Sequence, residues 1–297
     1  MRTPRPHVPA ETTGRVERIE IDANRLRFSA RASGPVDGRA VLLLHGFPES
    51  SLSWQPVLQA LGAEGYRALA PDQRGYSRAA RPRDVKAYAV AELVEDVLAI
   101  AATMQMPRVD LVGHDWGGII AWVVAARCPE LVRSLTVVST PHPGALAQTL
   151  RAGDPDQVAR SAYVGVFRRQ TEAERLLLGE DGSGGGLRTM LTATGLREEL
   201  ADEYVAAMRE PGAMTAALNW YRALQTSDME GLPPVVVPTL YVWSTGDAAL
   251  GRRAAEATAE FVAGRYELVV LDGVSHWIPE EASDELVRLM LAHLAST

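Results

Sequence analysis

The 297-residue chain is long enough for one large core, or for a core with an inserted subdomain, and its 47% hydrophobic and 23% charged residues are the balance of a soluble globular protein. A net charge of −7 opposes binding to phosphate backbones, so no nucleic-acid partner is expected. The single cysteine, Cys128, can build neither an intrachain disulfide nor a thiolate metal site, which points to a reducing, cytoplasmic compartment.

Met1 to Pro9 is basic and proline-rich and lacks the apolar run of a signal peptide, so residues 1–14 are expected to form a flexible tail. No stretch reaches the roughly 18 apolar residues of a membrane span. Residues 15–32 alternate, with Val16, Ile19 and Ile21 before Ala23-Asn24 and Leu26 and Phe28 after it, which predicts an antiparallel pair on a tight turn. Val41-Leu42-Leu43-Leu44 is a short apolar run, the pattern of a strand buried on both faces. A helix near 52–62, a strand at 66–70, a helix near 88–103, a strand at 108–112, a helix from 116 to 127 and a strand at 134–139 follow. Strands alternating with helices predict a mostly parallel sheet covered on both sides.

From 145 to 232 no strand pattern recurs. Leu196, Leu200, Tyr204, Val205 and Met208 keep helical spacing, and Glu180 to Gly186 is a flexible loop whose glycines follow no strand and precede no Lys-Ser/Thr, unlike a phosphate loop. Alternation resumes with a strand at Thr239–Trp243, a segment at Ala254–Val262, a strand at Tyr266–Leu271 and a helix near 280–295. The fold class expected is therefore α/β: a core of residues 15–144 and 233–297 with a helical cap inserted over 145–232.

Gly113-His114-Asp115-Trp116-Gly117 lies where a strand turns into a helix and has the shape of a G-x-S-x-G nucleophile elbow, with aspartate in place of serine. Triads on such sheets run nucleophile, acid, histidine in chain order. Asp247 follows one strand through Ser244-Thr245-Gly246, and His276 follows the next through Asp272-Gly273-Val274-Ser275, both past carboxyl ends of strands, where open α/β sheets build their sites. Asp272 is a rival acid, although Asp-Gly there reads as turn chemistry. His45-Gly46-Phe47-Pro48 follows the third predicted strand, so the amides of Phe47 and Trp116 are the expected oxyanion-hole donors, and His45, Phe47 and Trp116 the expected substrate-binding residues.

His45-Gly46-Phe47-Pro48-Glu49-Ser50, Asp72-Gln73-Arg74-Gly75-Tyr76-Ser77, Gly113-His114-Asp115-Trp116-Gly117-Gly118 and Gly273-Val274-Ser275-His276-Trp277 together resemble the epoxide hydrolases of the α/β-hydrolase superfamily, from about residue 15 to the C-terminus. The resemblance implies an aspartyl alkyl ester on Asp115, hydrolysis of that ester by a water that His276 activates, orientation of His276 by Asp247, and two cap tyrosines that donate to the departing oxygen. Asn219-Trp220-Tyr221-Arg222 resembles the second tyrosine's motif closely; Tyr163, in Tyr163-Val164-Gly165-Val166-Phe167, resembles the first more loosely. Ser77-Arg78-Ala79-Ala80 departs from the pattern, and an arginine there is expected to narrow or charge the pocket entrance. The chemistry requires no metal and no cofactor, only a small-molecule epoxide and water, in a monomer or homodimer.

Haloalkane dehalogenases share the aspartate ester, but their His-Gly motif continues with Asn or Glu where this chain has Phe47, and halide leaves without a proton. Asp115 at the elbow disfavours serine esterases and lactonases. A fold kept for binding alone would not need triad, oxyanion loop and donor pair together.

Overall fold

The computed structural model describes residues 14–297, so the tail expected over 1–14 lies, apart from Gly14, outside the described residues. Strand β3 (Ala40–Leu44) is buried along its whole length, and its alternate residues feed two apolar cores: Leu42 and Leu44 on one face of the sheet, Val41 and Leu43 on the other. That division explains the unbroken apolar run, because a parallel strand covered on both faces has no polar side.

Strands β1 (Val16–Ala23) and β2 (Leu26–Ser33) form the antiparallel pair, and β2 runs antiparallel to β4 (Arg67–Pro71). The hairpin turns on Asn24-Arg25, one residue further along than the sequence indicated, with φ of 44° and 63°. Positive φ at both central residues is the turn geometry that matches strand twist. From β4 the sheet continues in parallel through β3, β5 (Val109–His114), β6 (Val132–Val138), β7 (Thr239–Gly246) and β8 (Tyr266–Ser275), in the order β1-β2-β4-β3-β5-β6-β7-β8.

Helices α1 (Gln55–Ala63) and α14 (Ser283–Ala295) put Leu58, Leu61, Leu286 and Met290 on one face of the sheet. On the other, α2 (Val90–Thr103) and α3 (Trp116–Arg127) put Leu93, Val97, Ile120 and Val123. Between β6 and β7 the described residues hold helices and no strand: α4 (Pro143–Arg151), α5 (Pro155–Arg160), α6 (Ala162–Phe167), α7 (Glu172–Leu178), α8 (Gly185–Ala193), α9 (Glu198–Met208), α10 (Ala213–Ala223) and α11 (Thr226–Met229). Their apolar faces join the second core through Phe167, Leu187, Tyr204 and Trp220. α12 (Arg252–Ala257), a 3₁₀ turn at Thr258–Phe261 and the short α13 (Ile278–Glu281) complete the chain.

The last two strands run further than the sequence indicated. β7 extends to Gly246 and β8 to Ser275, with Gly246 paired to Ser275 beyond a register shift. The segments read as loops are paired backbone, and the residues that directly follow the two strand ends, Asp247 and His276, emerge side by side.

Candidate active site

Asp115 occupies the turn between β5 and α3 with φ 49° and ψ −120°, a conformation that costs a non-glycine residue on the order of 1–3 kcal/mol. Small neighbours make the turn feasible: a Cβ on Gly117 would run into the backbone of Leu44, and one on Gly46 would overlap the Asp115 side chain. The backbone oxygen of Asp115 accepts from Thr140 Oγ1 at 2.9 Å and from the Ile119 amide at 3.1 Å, which clamps the turn. Its carboxylate is left free to project into a cavity.

One of the two expected oxyanion donors is engaged. The Phe47 amide donates to Asp115 Oδ1 at 2.7 Å. The amide of Trp116 opens α3 and has no carbonyl four residues back to bond. The Phe47–Pro48 peptide is cis.

His276 Nδ1 lies 2.8 Å from Asp247 Oδ2, and its Nε2 lies 3.8 Å from Asp115 Oδ2. Asp247 is buried but not orphaned: its Oδ1 accepts from the amides of Ala249 at 2.8 Å and Leu250 at 2.9 Å. Burial pulls the His276 pKa down, but the Asp247 carboxylate and its hydrogen bond, with Asp115 behind them, outweigh it and raise the value to about 9. Asp272, the rival acid, instead accepts from Thr245 Oγ1 at 2.8 Å in the exposed turn at Gly273.

A cavity of about 240 Å³ opens over these groups, walled by Phe47, Tyr163, Phe167, Tyr221, Met190 and Trp277. Tyr163 and Tyr221 come from α6 and α10, with ring centroids 6.2 Å apart. Burial, the charge of Asp115 and, for Tyr221, the neighbouring Tyr163 raise both phenol pKa values, so both carry their protons throughout the neutral range. The neighbours of Tyr221 in sequence fix its direction. Trp220 Nε1 donates to the Arg74 carbonyl at 2.8 Å, and Arg222 pairs with Glu174 of α7 at 2.9 Å.

Three expectations need correction. His45 does not line the cavity: it is fully buried behind the loop, where Nδ1 meets the Gly46 carbonyl at 2.9 Å and Nε2 accepts from the Gln73 amide at 3.0 Å. It holds the oxyanion loop in shape and touches no substrate space. The Trp116 side chain also sits outside the cavity wall, packed edge-on against Tyr221 at 5.1 Å, and only its amide at the start of α3 stays in the expected place. Arg78 lines a separate cavity with Arg31 and Arg81 and leaves the pocket over Asp115 uncharged at that side. The Asp72 to Ser77 motif is structural, with Arg74 forked onto Asp96 at 2.7 Å through both Nε and Nη2.

Sequence reasoning missed Glu49, Glu280 and Tyr204. Glu49 accepts from the Gly46 amide at 2.7 Å and meets His114 Nδ1 at 3.0 Å, and Tyr204 donates to Glu280 at 2.8 Å. The only signal was Glu49's place in the quoted loop motif; Tyr204 read as a packing residue. Met190 and Thr194 of the cavity wall carried no signal at all.

Residues 39–283 match the family described as alpha/beta hydrolase fold, and the chain belongs to that family. An AB hydrolase superfamily protein of Bacillus subtilis is 32% identical over 92% of this chain and 96% of its own. More particularly, Epoxide hydrolase 4 of Mus musculus is 31% identical over 93% of this chain and 78% of its own length. Among solved structures, Epoxide hydrolase A of Mycobacterium thermoresistibile superposes with a TM-score of 0.83 at 26% identity, covering 95% of this chain and 98% of that one. No helix of the described residues is long and apolar enough to cross a membrane.

Proposed function

We propose that the protein is an epoxide hydrolase that opens a small epoxide to a vicinal diol through an ester on Asp115. The observation that carries the reading is the meeting, on one cavity of about 240 Å³, of the Asp115 carboxylate with two protonated tyrosines from the opposite wall. An epoxide carbon is tetrahedral, so a carboxylate displaces the ring oxygen in line, and the departing alkoxide needs a donor. Tyr163 and Tyr221 supply that donor, and Tyr221 is the better anchored of the two.

The ester then meets water. With Asp115 esterified, the charge that helped raise His276 toward about 9 is gone, and the imidazole falls toward a range where it acts as a base. His276 takes a proton from water, Asp247 stabilises the imidazolium, and the Phe47 and Trp116 amides hold the oxyanion on the Asp115 carboxyl. The helices of 145–232 act as the cap that closes the pocket, and the protein works as a monomer or homodimer in the cytoplasm. The relatives named epoxide hydrolase support this reading at about a third identity. The test is diol formation from a panel of terminal and aryl epoxides beside bromide release from matched bromoalkanes. Diol without bromide is expected; bromide without diol contradicts the assignment.

A further inference from the structure

Behind the triad, four side chains from four segments form a buried polar chain: Tyr204 on α9, Glu280 on α13, Glu49 after β3 and His114 at the end of β5. Glu49, His114 and Tyr204 are at most 1% exposed, and Glu280, partly exposed as a residue, keeps its Oε2 buried; none of the four faces the substrate cavity. Its far end is the backbone carbonyl of His276, which lies 3.0 Å from His114 Nε2 and also accepts from Ser139 Oγ at 2.9 Å.

The bonding pattern, with the burial of His114, points to one protonation state for this chain. A carbonyl oxygen can only accept, so His114 Nε2 carries a hydrogen. Burial, with His276 adding to it, lowers the His114 pKa to about 4, so the ring is neutral and has only that one N–H. Nδ1 is then bare and must accept, yet its partner 3.0 Å away is a carboxyl group. A carboxylate there would set lone pair against lone pair, so Glu49 bears the proton. The Gly46 amide bond to Oε2 at 2.7 Å suits either form. Glu280 lies against Glu49, and Glu49 Oε1 and Glu280 Oε2 are the two buried carboxyl oxygens that make no hydrogen bond among the described residues, although Oε1 too comes within 3.0 Å of His114 Nδ1. One proton from Glu280 satisfies both. Tyr204 donates to the remaining oxygen, Oε1, at 2.8 Å.

We infer that Glu280 is a positioning residue: as a neutral carboxylic acid it passes the donor polarity of Tyr204 through Glu49 and His114 to the backbone carbonyl of His276. Every link points one way, and the terminal carbonyl leaves it no reverse direction. The chain ties the oxyanion loop, the nucleophile strand and the histidine loop to one helix of the 145–232 segment. Ionising it at high pH places a lone-pair clash inside the chain. The titratable groups that bear on it are Tyr204, Glu49 and His114 around Glu280, Asp115 and His276 near Glu49, and Arg31 of β2 facing Tyr204. Desolvation raises both carboxyls; the charge of Asp115 adds to it for Glu49, which reaches about 7, and the charge of Glu49 adds to it for Glu280.

The inference rests on His276 as the base of the proposed reaction, and its test separates the two. Glu280→Gln keeps the polarity, because the amide nitrogen donates to Glu49 and the oxygen accepts from Tyr204, and it cannot ionise. It is expected to hydrolyse the ester within about threefold of the native rate at pH 7 and to hold that rate to higher pH. Glu280→Leu is expected to slow ester hydrolysis more than tenfold, lowering kcat and KM together with kcat/KM unchanged, because ester formation is not touched. Equal rates and equal pH profiles for the two variants overturn the inference. Nitrogen NMR of His114 in the native protein needs no activity and no variant. A proton on Nε2 alone is expected, and a proton on Nδ1 overturns the chain even if epoxide turnover is absent and only the function reading has failed.

Discussion

The sheet and the helical segment contribute to the site in different ways. The sheet delivers Asp115, Asp247 and His276 from the ends of three strands, each tied down through backbone groups: the Thr140 hydroxyl donates to the Asp115 carbonyl, two amides to the Asp247 carboxylate, and the His114 ring and Ser139 hydroxyl to the His276 carbonyl. The helices deliver Tyr163 and Tyr221 from helix faces, held by side chains such as Trp220 on Arg74 and Arg222 on Glu174. Strand pairing places the first set along the sheet edge, whereas a helix face is placed by what it packs against. Chemistry that must stay aligned sits on the first, and the pocket that selects the substrate sits on the second.

The largest expected effect breaks the sheet side. Asp115→Ala removes the nucleophile and should lower turnover by about 10⁴-fold or more while circular dichroism and melting temperature stay native. Retained turnover would move the nucleophile elsewhere. His276→Gln should still form the ester but not hydrolyse it, so intact-protein mass rises by the mass of the epoxide; turnover without an adduct removes His276 from its role.

On the helical side losses should be graded. Tyr163→Phe or Tyr221→Phe alone leaves partial ester formation, and the double variant loses about 10²–10⁴-fold, measured by stopped flow. A double variant that still opens epoxides would remove the tyrosines as donors. Trp220→Phe deletes one of the two bonds that aim Tyr221 together with part of a buried indole, leaves the Arg74 carbonyl short of a partner and should cost about 1–3 kcal/mol of stability or more by denaturant unfolding. A stability cost with no change in ester formation would show that Tyr221 is aimed by something else.

The smallest effect is on pH-dependent stability. His276 has its pKa raised by folding, so its contribution is fully present below the unfolded value near 6.5 and is lost as pH rises through about 9. Glu49 is raised too, so its contribution is present below the unfolded carboxyl value and lost as pH climbs through about 7. Melting temperature should therefore fall from neutral to alkaline pH, and His276→Gln should flatten the part between about 6.5 and 9. An unchanged slope in that variant contradicts the account of its charge.

The same division governs what was legible in the sequence. Strand-end residues carry their own context: Asp115 in a glycine-flanked elbow, and Asp247 and His276 after apolar runs. What the sequence missed there was only the extra pairing of Gly246 with Ser275, which depends on a register shift between β7 and β8. His45 was misread because its motif marks the loop, while its side chain turns inward to Gln73. On the helical side Tyr221 was legible through Trp220 and Arg222, but Tyr163 rested on looser likeness, and Met190 and Thr194 line the cavity with nothing in their spacing to mark them. Glu280 and Tyr204 were illegible for a different reason: two residues 76 apart in the chain become partners only when α9 packs onto α13.

The most direct measurement of the central claim follows oxygen. If Asp115 forms the ester and water attacks its carbonyl, each turnover replaces one carboxylate oxygen of Asp115 with one from solvent. Many turnovers in heavy-oxygen water should label the Asp115 peptide, and a single turnover should leave the diol almost unlabelled. An unlabelled Asp115 peptide after many turnovers, with label in the diol from the first, would mean that water opens the epoxide directly and that Asp115 is not the nucleophile.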